Sequence, residues 1–309
     1  MAVTLLEASK RFEGNVLRQA VVELYASSSN LLRILPFNDI AGNALRYNQE
    51  SALPGIGFRG VNEAYSESTG VINPITEPLV IAGGDLDVDK FITTTMGANQ
   101  RTSQEVMKIK ALAHKWTNTF IKGDSTSSPK EFDGLQVRLT GSQLIAAGAT
   151  AGGDALSLAK LDQAIDATDN PTHILMSKAM RRLMTAAGRT TSVGGYIHFT
   201  QDEFGRTQTM YNDLPIIVVG ENTDVYNTLD FVEANPGGGA SVGTSIYVVS
   251  VGDGMLSGIQ NGPPDVRDLG ELQTKSAERT RIEWYSGLAL FHPRAATRLY
   301  GIKNSAVVA

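Results

Sequence analysis

The sequence predicts an α+β fold in which a long helix and a sheet-rich body carry extended segments. Residues 98 to 122 have one apolar stripe at helical spacing, and residues 131 to 264 alternate helical patterns with apolar β-rich runs. Residues 41 to 80 form a long polar segment with no helical period. Glycine makes up 31 of the 309 residues, against a usual share of about 7%, which favours a fold with many turns.

The first 40 residues are predicted to form an arm with a short amphipathic helix at 14 to 26. Its apolar positions recur every three or four residues, at Val16, Leu17, Ala20, Val21 and Leu24. A compact apolar run, Leu31 to Phe37, follows a polar stop at Ser27 to Asn30.

Residues 41 to 82 are predicted to leave the body as an extended β-hairpin. The polar part is about 40 residues long, whereas connections in compact domains usually have about 4–6. Its few large apolar residues are enough to form strands. They are Tyr47, Phe58, Val61, Tyr65, Val71 and Ile75.

The helix at 98 to 122 is the strongest predicted element. Its stripe consists of Val106, Ile109, Leu112, Ala113, Trp116 and Phe120. Lys122 and Gly123 supply a basic last turn and a glycine stop. At a rise of about 1.5 Å per residue, the helix is expected to span roughly 37 Å.

After this helix the pattern predicts an α/β domain, followed by long strands. Ser157 and Ser177 are expected to open two helices, which end at Asn170-Pro171 and near Gly188. The expected apolar strands of this domain are 172–176, 214–219 and 245–251. Three further strands are expected at 265–275, 279–291 and 294–302.

Composition and charge exclude several classes of site. The net charge of −5 gives no reason to expect a general nucleic-acid binder, although a local basic face is compatible with it. The chain has no cysteine, which excludes disulfides, zinc ribbons and thiol nucleophiles. We expect neither a membrane span nor a signal peptide, since there is no long apolar run.

Two motifs resemble ligand sites but lack the required context. Gly55, Gly57 and Gly60 match the dinucleotide-binding fingerprint, yet a polar stretch ending in proline precedes them and no helical stripe follows. Asp85, Asp87 and Asp89 resemble the start of a calcium loop, but their alternation is typical of a half-exposed strand. A glycine-rich hairpin and a strand are therefore the favoured interpretations.

No catalytic, cofactor or metal site is predicted. The four histidines, His114, His173, His198 and His292, have no partner at metal-ligand spacing and are interpreted as structural. Neither a nucleophile elbow nor a phosphate-binding loop occurs in the sequence.

The order of elements resembles that of the tailed-bacteriophage major capsid proteins with the Hong Kong 97-like fold, in a short branch without a fused scaffolding domain. That order is arm, polar hairpin, long helix, α/β body and long C-terminal strands. Local similarities occur at Thr4–Lys10, Leu53–Asn62, Thr119–Asp124, Phe132–Leu135, Tyr211–Ile217, Ser245–Val249, Gly252–Met255 and Trp284–Gly301. Each motif is weak alone, but their order and spacing cover nearly the whole chain.

The resemblance implies a role for each segment. Residues 1–40 would be the N-terminal arm, 41–82 the extended loop, 83–130 with 265–309 the peripheral domain, and 131–264 the axial domain. The helix at 98–122 would be the spine of the peripheral domain. The turn at about 268–279 would be a loop that meets its neighbours. From these roles we predict inter-subunit contacts at Arg59, Asn62, Glu63, Glu67, Lys275, Glu278 and Arg279.

The sequence departs from relatives that cross-link a lysine of the extended loop to an asparagine. Residues 41 to 80 contain no lysine, and residues 268 to 279 contain no asparagine. We therefore expect a shell without such covalent links. No long helical leader precedes the arm, so a separate scaffolding protein is expected.

The resemblance implies that the chain is a structural protein rather than an enzyme, without a cofactor. Expected partners are further copies of the chain in pentamers and hexamers, a scaffolding protein, a portal and a decoration protein. The shell would enclose double-stranded DNA without sequence-specific binding, and it would belong to a virion assembled in the host cytoplasm. Two alternatives stay open: an encapsulin-type bacterial compartment and, more distantly, a dinucleotide-binding enzyme.

Overall fold

A computed structural model of the chain describes residues 3–4, 29–96, 99–149, 152–189, 197–201, 207–220, 228–234 and 242–308. The helix predicted at 14 to 26 lies outside the described residues. Within them, two sheets with helices packed on their faces form the body, and a two-stranded hairpin extends from it. The predicted α+β fold class is confirmed. No helix of the described residues is long and apolar enough to cross a lipid bilayer.

The first sheet has six strands and is built around one long strand. Its members are β1 (Val3–Thr4), β2 (Pro36–Asp39), β5 (Val80–Asp89), β13 (Leu256–Gln260), β14 (Asp265–Glu271) and β15 (Ala277–Leu290). The strand order is β1-β2-β13-β15-β14, and β5 also pairs with β15. Strand β15 therefore joins three antiparallel partners.

Helices pack beside this sheet and against one another. They are α1 (Asn30–Ile34), α2 (Lys90–Met96), α3 (Asn99–Lys122) and α4 (Leu135–Arg138). The long helix α3 confirms the prediction at 98 to 122, and it packs against β5 and β15. Gly123 ends it where a side chain has no room, because a Cβ there would lie 2.2 Å from the carbonyl oxygen of Phe132.

Aromatic residues fill the core between α3 and the first sheet. The ring of Trp116 on α3 lies 5.7 Å from that of Trp284 on β15, and Phe37 on β2 lies 5.2 Å from Trp284. The indole of Trp116 also donates a hydrogen bond of 3.1 Å to the hydroxyl of Ser286. The apolar stripe read from the sequence is thus the face that α3 buries.

The second sheet has eight strands. They are β6 (Leu144–Ala146), β7 (His173–Met176), β8 (Ile197–Gln201), β9 (Thr207–Tyr211), β10 (Leu214–Val218), β11 (Glu233–Ala234), β12 (Val242–Val249) and β16 (Ala296–Ile302). The order is β6-β16-β12-β7-β10-β9-β8, and β11 pairs with β12. Helix α5 (Leu158–Asp166) packs on β16, and α6 (Lys178–Ala187) packs on β10.

The two serines predicted to open helices behave differently. Ser177 caps α6, because its hydroxyl accepts a 3.0 Å hydrogen bond from the Met180 amide. Ser157 stands at the N-cap position of α5, but its side chain makes no capping hydrogen bond with the helix.

The sheets do not follow the bounds predicted for the domains. Strand β13 lies within 131–264 but belongs to the first sheet, and β16 lies within 265–309 but belongs to the second. The chain passes from the second sheet to the first after β12 and returns after β15. Local periodicity carries no information about such a crossing, and the division into domains stays a prediction.

The predicted hairpin is present. Strands β3 (Ala44–Ala52) and β4 (Val71–Pro78) pair antiparallel with each other. Residues 53–70 connect them without a helix or strand. This connecting segment is called the tip below.

Candidate functional site

The tip of the hairpin presents large apolar side chains to solvent. Leu53, Ile56, Phe58, Val61 and Tyr65 are between 67% and 109% exposed. Soluble monomers seldom leave several such side chains together on a protruding segment, and exposed apolar surface of this kind marks a contact with another molecule. The tip is therefore the first candidate interaction surface.

Polar residues of the tip make contacts with one another that stabilise its conformation. The Glu63 carboxylate accepts a 2.8 Å hydrogen bond from the Gly60 amide, and the Arg59 guanidinium donates one of 3.1 Å to the Glu63 carbonyl. Arg59 also lies over the ring of Tyr65, at 5.1 Å from its centroid. Asn62 has a positive φ of 67°, a conformation that asparagine tolerates better than most residues.

These contacts bear on the four residues predicted in this segment. The structure brings Arg59, Asn62 and Glu63 together in one turn, while Glu67 is exposed further along the tip. Their contact with a neighbouring subunit stays a prediction. The exposed apolar residues beside them are stronger evidence of a contact surface than these polar residues are. They could have been found from the sequence, as large hydrophobic residues within a polar segment.

The root of the hairpin is fixed to the body by a nearly buried ion pair. Arg138 at the end of α4 binds Glu77 on β4 at two points, with Nη2 and Oε2 2.7 Å apart and Nη1 close to Oε1. The side chains are only 13% and 10% exposed. Arg138 also donates to the carbonyl oxygens of Asp133 at 2.7 Å and Leu288 at 3.2 Å.

Tyr47 on β3 joins the same cluster. Its hydroxyl donates a 2.9 Å hydrogen bond to the Leu290 carbonyl, and its ring lies 4.7 Å from that of Phe291. Burial, together with the nearby Glu77 carboxylate, raises the pKa of Tyr47 to about 12. Both strands of the hairpin are therefore held to β15 and the turn that follows it.

A ladder of ion pairs covers one face of the first sheet. Arg279 and Arg281 lie directly opposite Asp87 and Asp85 in the pairing of β15 with β5. Each arginine binds its aspartate at two points, with distances from 2.6 to 2.9 Å. The hydrogen bonds from Arg279 and Lys275 lower the pKa of Asp87 well below its ordinary value.

Predicted contact residues of the 268–279 turn take part in this ladder. Lys275 lies 2.5 Å from Asp87, and Arg279 pairs with the same carboxylate. Glu278 pairs at 2.7 Å with Arg101 of α3, which also reaches Asp268 at 2.8 Å. The three residues have partners within the subunit, and their contact with a neighbour stays a prediction.

Neither the glycine motif at 55–60 nor the aspartate motif at 85–89 lies in the structural surroundings that its ligand would require. Gly55, Gly57 and Gly60 lie in the exposed tip, without the buried strand and helix of a dinucleotide site. Asp85 and Asp87 lie on strand β5 and bind arginines. Within the residues that the structure describes, no group of three or more acidic or histidine side chains is placed to hold a metal ion.

The histidines have ordinary surroundings where they are described. His173 at the start of β7 is mostly buried, and burial lowers its pKa. The Nδ1 of His292 lies 3.5 Å from the carboxylate of Asp169. The Nδ1 of His173 lies 2.9 Å from the hydroxyl of the adjacent Thr172.

Sequence reasoning missed the root cluster. Glu77 and Arg138 are 61 residues apart in the chain, and each is one of many charged residues. A predicted hairpin can indicate which residue lies opposite Glu77 on the neighbouring strand, here Leu45. It does not indicate that Arg138 at the end of α4 meets Glu77.

No family model and no curated protein matches the chain by sequence. Solved structures match over most of its length. The holo-SrpI encapsulin complex from Synechococcus elongatus PCC 7942 has a TM-score of 0.65 and 18% identity, covering 90% of this chain and 89% of its own. The capsid of a native GTA particle has a TM-score of 0.61 and 15% identity, covering 89% of this chain and 90% of its own.

A structure from Microbacterium phage Oxtober96 has a TM-score of 0.62 and 11% identity, with 89% of this chain and 90% of that chain covered. Identities this low support conclusions about the fold alone. Coverage of about nine-tenths on both sides shows that the structural similarity extends over most of each chain. The chain therefore has the Hong Kong 97-like capsid fold.

Proposed function

We propose that the chain is the major capsid protein of a tailed bacteriophage, which self-assembles into an icosahedral head around double-stranded DNA. The observation that carries the proposal is the exposed apolar tip on a hairpin whose root is fixed to a body with a capsid fold. On this proposal the protein is a structural component of a virion and not an enzyme.

The tip favours a partner on energetic grounds. Ordering a residue costs about 1–2 kcal/mol of backbone entropy, and burying a large apolar side chain returns about 1.5–3 kcal/mol. The tip residues bury little within their own subunit. A neighbouring subunit that covers Ile56 and Phe58 would supply the missing burial.

The fixed root supports a contact that recurs in every subunit. A closed shell needs one set of heterologous contacts, repeated with similar geometry in rings of five and of six subunits. The Arg138–Glu77 pair and the Tyr47 hydrogen bond fix both strands of the hairpin relative to β15. The direction of the tip is thereby set by the fold of the subunit itself.

The proposal includes the partners expected for such a head. These are further copies of the chain in pentamers and hexamers, a separate scaffolding protein, a portal and a decoration protein. Assembly would take place in the cytoplasm of the bacterial host. DNA would be enclosed without recognition of its sequence.

We also propose that the subunits are joined without covalent links between the extended loop and its neighbour. No lysine occurs in residues 41 to 80. Shells boiled in detergent under denaturing conditions should give one band at the subunit mass of 33.0 kDa. A ladder of higher bands would contradict this part of the proposal.

An encapsulin-type compartment is the second candidate, favoured by the similarity to the holo-SrpI encapsulin complex. Neighbouring genes separate the two candidates. Portal and terminase genes beside the coding sequence would support a phage head, and a gene for a cargo enzyme would support a compartment.

Negative-stain electron microscopy of the expressed chain, with and without a candidate scaffolding protein, tests the shell itself. Closed shells, or rings of five and six subunits, are expected. Uniform monomers or dimers under both conditions would overturn the proposal. Cofactor binding by such a monomer would reopen the enzyme alternative.

A further inference from the structure

Helix α6 has one outward face made of cations. Lys178, Arg181 and Arg182 are exposed on the helix, and Arg189 is exposed in the turn that follows it. At 3.6 residues per turn, all four positions fall within about 100° of the helix circumference. The opposite face is buried and apolar. It consists of Ala179, Met180, Met184 and Ala187.

The four cations, called the α6 basic face below, make no ion pair with the described residues of the chain. Most other arginines of the body have carboxylate partners. These are Arg101, Arg138, Arg267, Arg279, Arg281, Arg294 and Arg298. The sequence from 178 to 189 contains no carboxylate, although the whole chain has a net charge of −5.

This arrangement works against the stability of the helix. Lys178 is the first residue of α6, where the positive end of the helix dipole disfavours a cation. Lys178 also lies three and four positions before Arg181 and Arg182, and like charges at these spacings repel. Burial of the opposite face needs none of these charges, so folding does not explain them.

We propose that the α6 basic face is a contact for the phosphate backbone of nucleic acid, without recognition of base sequence. The four cations extend over roughly 16 Å along the helix. Duplex DNA carries one negative charge per ~1.7 Å, so several phosphates lie within reach of such a face. Guanidinium groups suit this role, because their planar donors match phosphate oxygens at two points.

The composition of the face favours nucleic acid over an acidic protein. Protein interfaces have a buried centre with aromatic or other large apolar residues. None of the large apolar side chains exposed in the described structure lies on α6. The inference rests on the proposed function, since it assigns the surface that the enclosed DNA touches.

A salt titration of DNA binding tests the assignment. Unassembled subunits are added to a labelled duplex of random sequence, and fluorescence anisotropy gives the affinity between about 50 and about 200 mM salt, a range over which phosphate contacts weaken strongly. The wild-type affinity should fall steeply with salt. In the double variant R181Q/R182Q the slope of log affinity against log salt should be smaller by about two units.

The matched control removes two exposed cations elsewhere, at Lys110 on α3 and Lys303 after β16. The K110Q/K303Q variant changes the net charge equally and should keep the wild-type slope. Equal slopes in both double variants would overturn the assignment. Displacement of the duplex by polyglutamate more readily than by unlabelled duplex would also overturn it, in favour of an acidic protein partner.

Electron microscopy of the same R181Q/R182Q variant separates this inference from the proposed function. The variant should form shells with wild-type morphology while its DNA binding shows the reduced slope. Shells combined with an unchanged slope would refute the DNA contact alone. A wild-type chain that forms no shells would refute the proposed function, whatever the slope.

Discussion

The guanidinium of Arg138 and the carboxylate of Glu77 form a two-point ion pair at the junction between the hairpin and the body. Both side chains are nearly buried. A buried ion pair adds little net stability compared with apolar packing, but losing one partner leaves a desolvated charge. The stability of the subunit therefore depends on the contact between the hairpin and the body.

The substitution Glu77→Gln tests that dependence. It should lower the free energy of unfolding by about 3 kcal/mol, because the Arg138 charge keeps its burial and loses its counter-charge. Urea unfolding of the unassembled subunit measures the change. Glu67→Gln, at an exposed site of the same hairpin, should stay within about 0.5 kcal/mol of wild type. Equal effects of the two variants would contradict the anchoring role.

The contact of β13 with β2 gives a second prediction. A Cβ at Gly258 would lie 2.3 Å from the ring of Phe37, so Gly258→Ala should destabilise the fold by about 1–3 kcal/mol through overpacking. The same change at Gly252, where a Cβ meets nothing within 4 Å, is the control. Phe37→Leu should partly rescue the Gly258→Ala variant in thermal unfolding. Failure of the rescue would mean that the ring is not the obstacle.

The ion-pair ladder predicts a dependence of stability on pH. The pKa of Asp87 is lowered in the folded protein by Arg279 and Lys275, from an ordinary value of 3.8. A lowered folded pKa contributes stability that is fully present above the unfolded pKa and is lost as pH falls through the folded pKa. Asp87→Asn should therefore lower the melting temperature at neutral pH, and the difference from wild type should close as pH falls below 3.8.

Asp253→Asn provides the control for this titration, since Asp253 is exposed in a turn. Its melting temperature at neutral pH should stay close to that of wild type, as for most exposed surface substitutions. High salt should reduce the Asp87 effect at neutral pH, because the ladder lies at the surface and is screened. A difference between Asp87→Asn and wild type that persists unchanged into acid would contradict the assignment to ion pairing.

A substitution at the exposed tip is expected to impair assembly without changing the stability of the subunit. Phe58→Ser should leave the free energy of unfolding of the subunit within about 0.5 kcal/mol, because the ring is fully exposed. Each interface that buries the ring should lose about 1.5–3 kcal/mol, which raises the concentration needed for assembly by about tenfold or more. Sedimentation of assembly mixtures measures this, with Ser66→Ala as the control. Normal assembly of Phe58→Ser would refute a role for the ring.

Local patterns were sufficient for the elements that depend on one segment. The stripe from Val106 to Phe120 predicts α3 because burial on one face imposes a period near 3.6, and Gly123 marks its end. The hairpin was predictable because strand-forming residues, such as Tyr47, Val71 and Ile75, lie on either side of a glycine-containing stretch without a helical period.

Long-range pairings were not predictable. Arg279 and Asp87 are 192 residues apart in the chain, and they meet only because β15 and β5 pair in one particular register. A shift of that register by one residue would place other side chains opposite each other. The sequence therefore indicated a charged turn near Lys275 but not that its charges are paired within the subunit. The α6 basic face is the reverse case, since its four cations are visible in the sequence, whereas only the structure shows that they make no ion pair with the described residues.

The position of β16 has a consequence for synthesis of the chain. Ala296–Ile302 lies between β6 and β12 and pairs with both, so the second sheet cannot close until residue 302 has left the ribosome. In a nascent chain that has emerged only up to β15, β6 lacks its partner strand, and the edge of β12 that will pair with β16 is open, although β12 can already pair with β7. Open strand edges readily pair with other chains, so neighbouring subunits on one polysome are exposed to edge-to-edge association until translation has passed the last strand of this sheet.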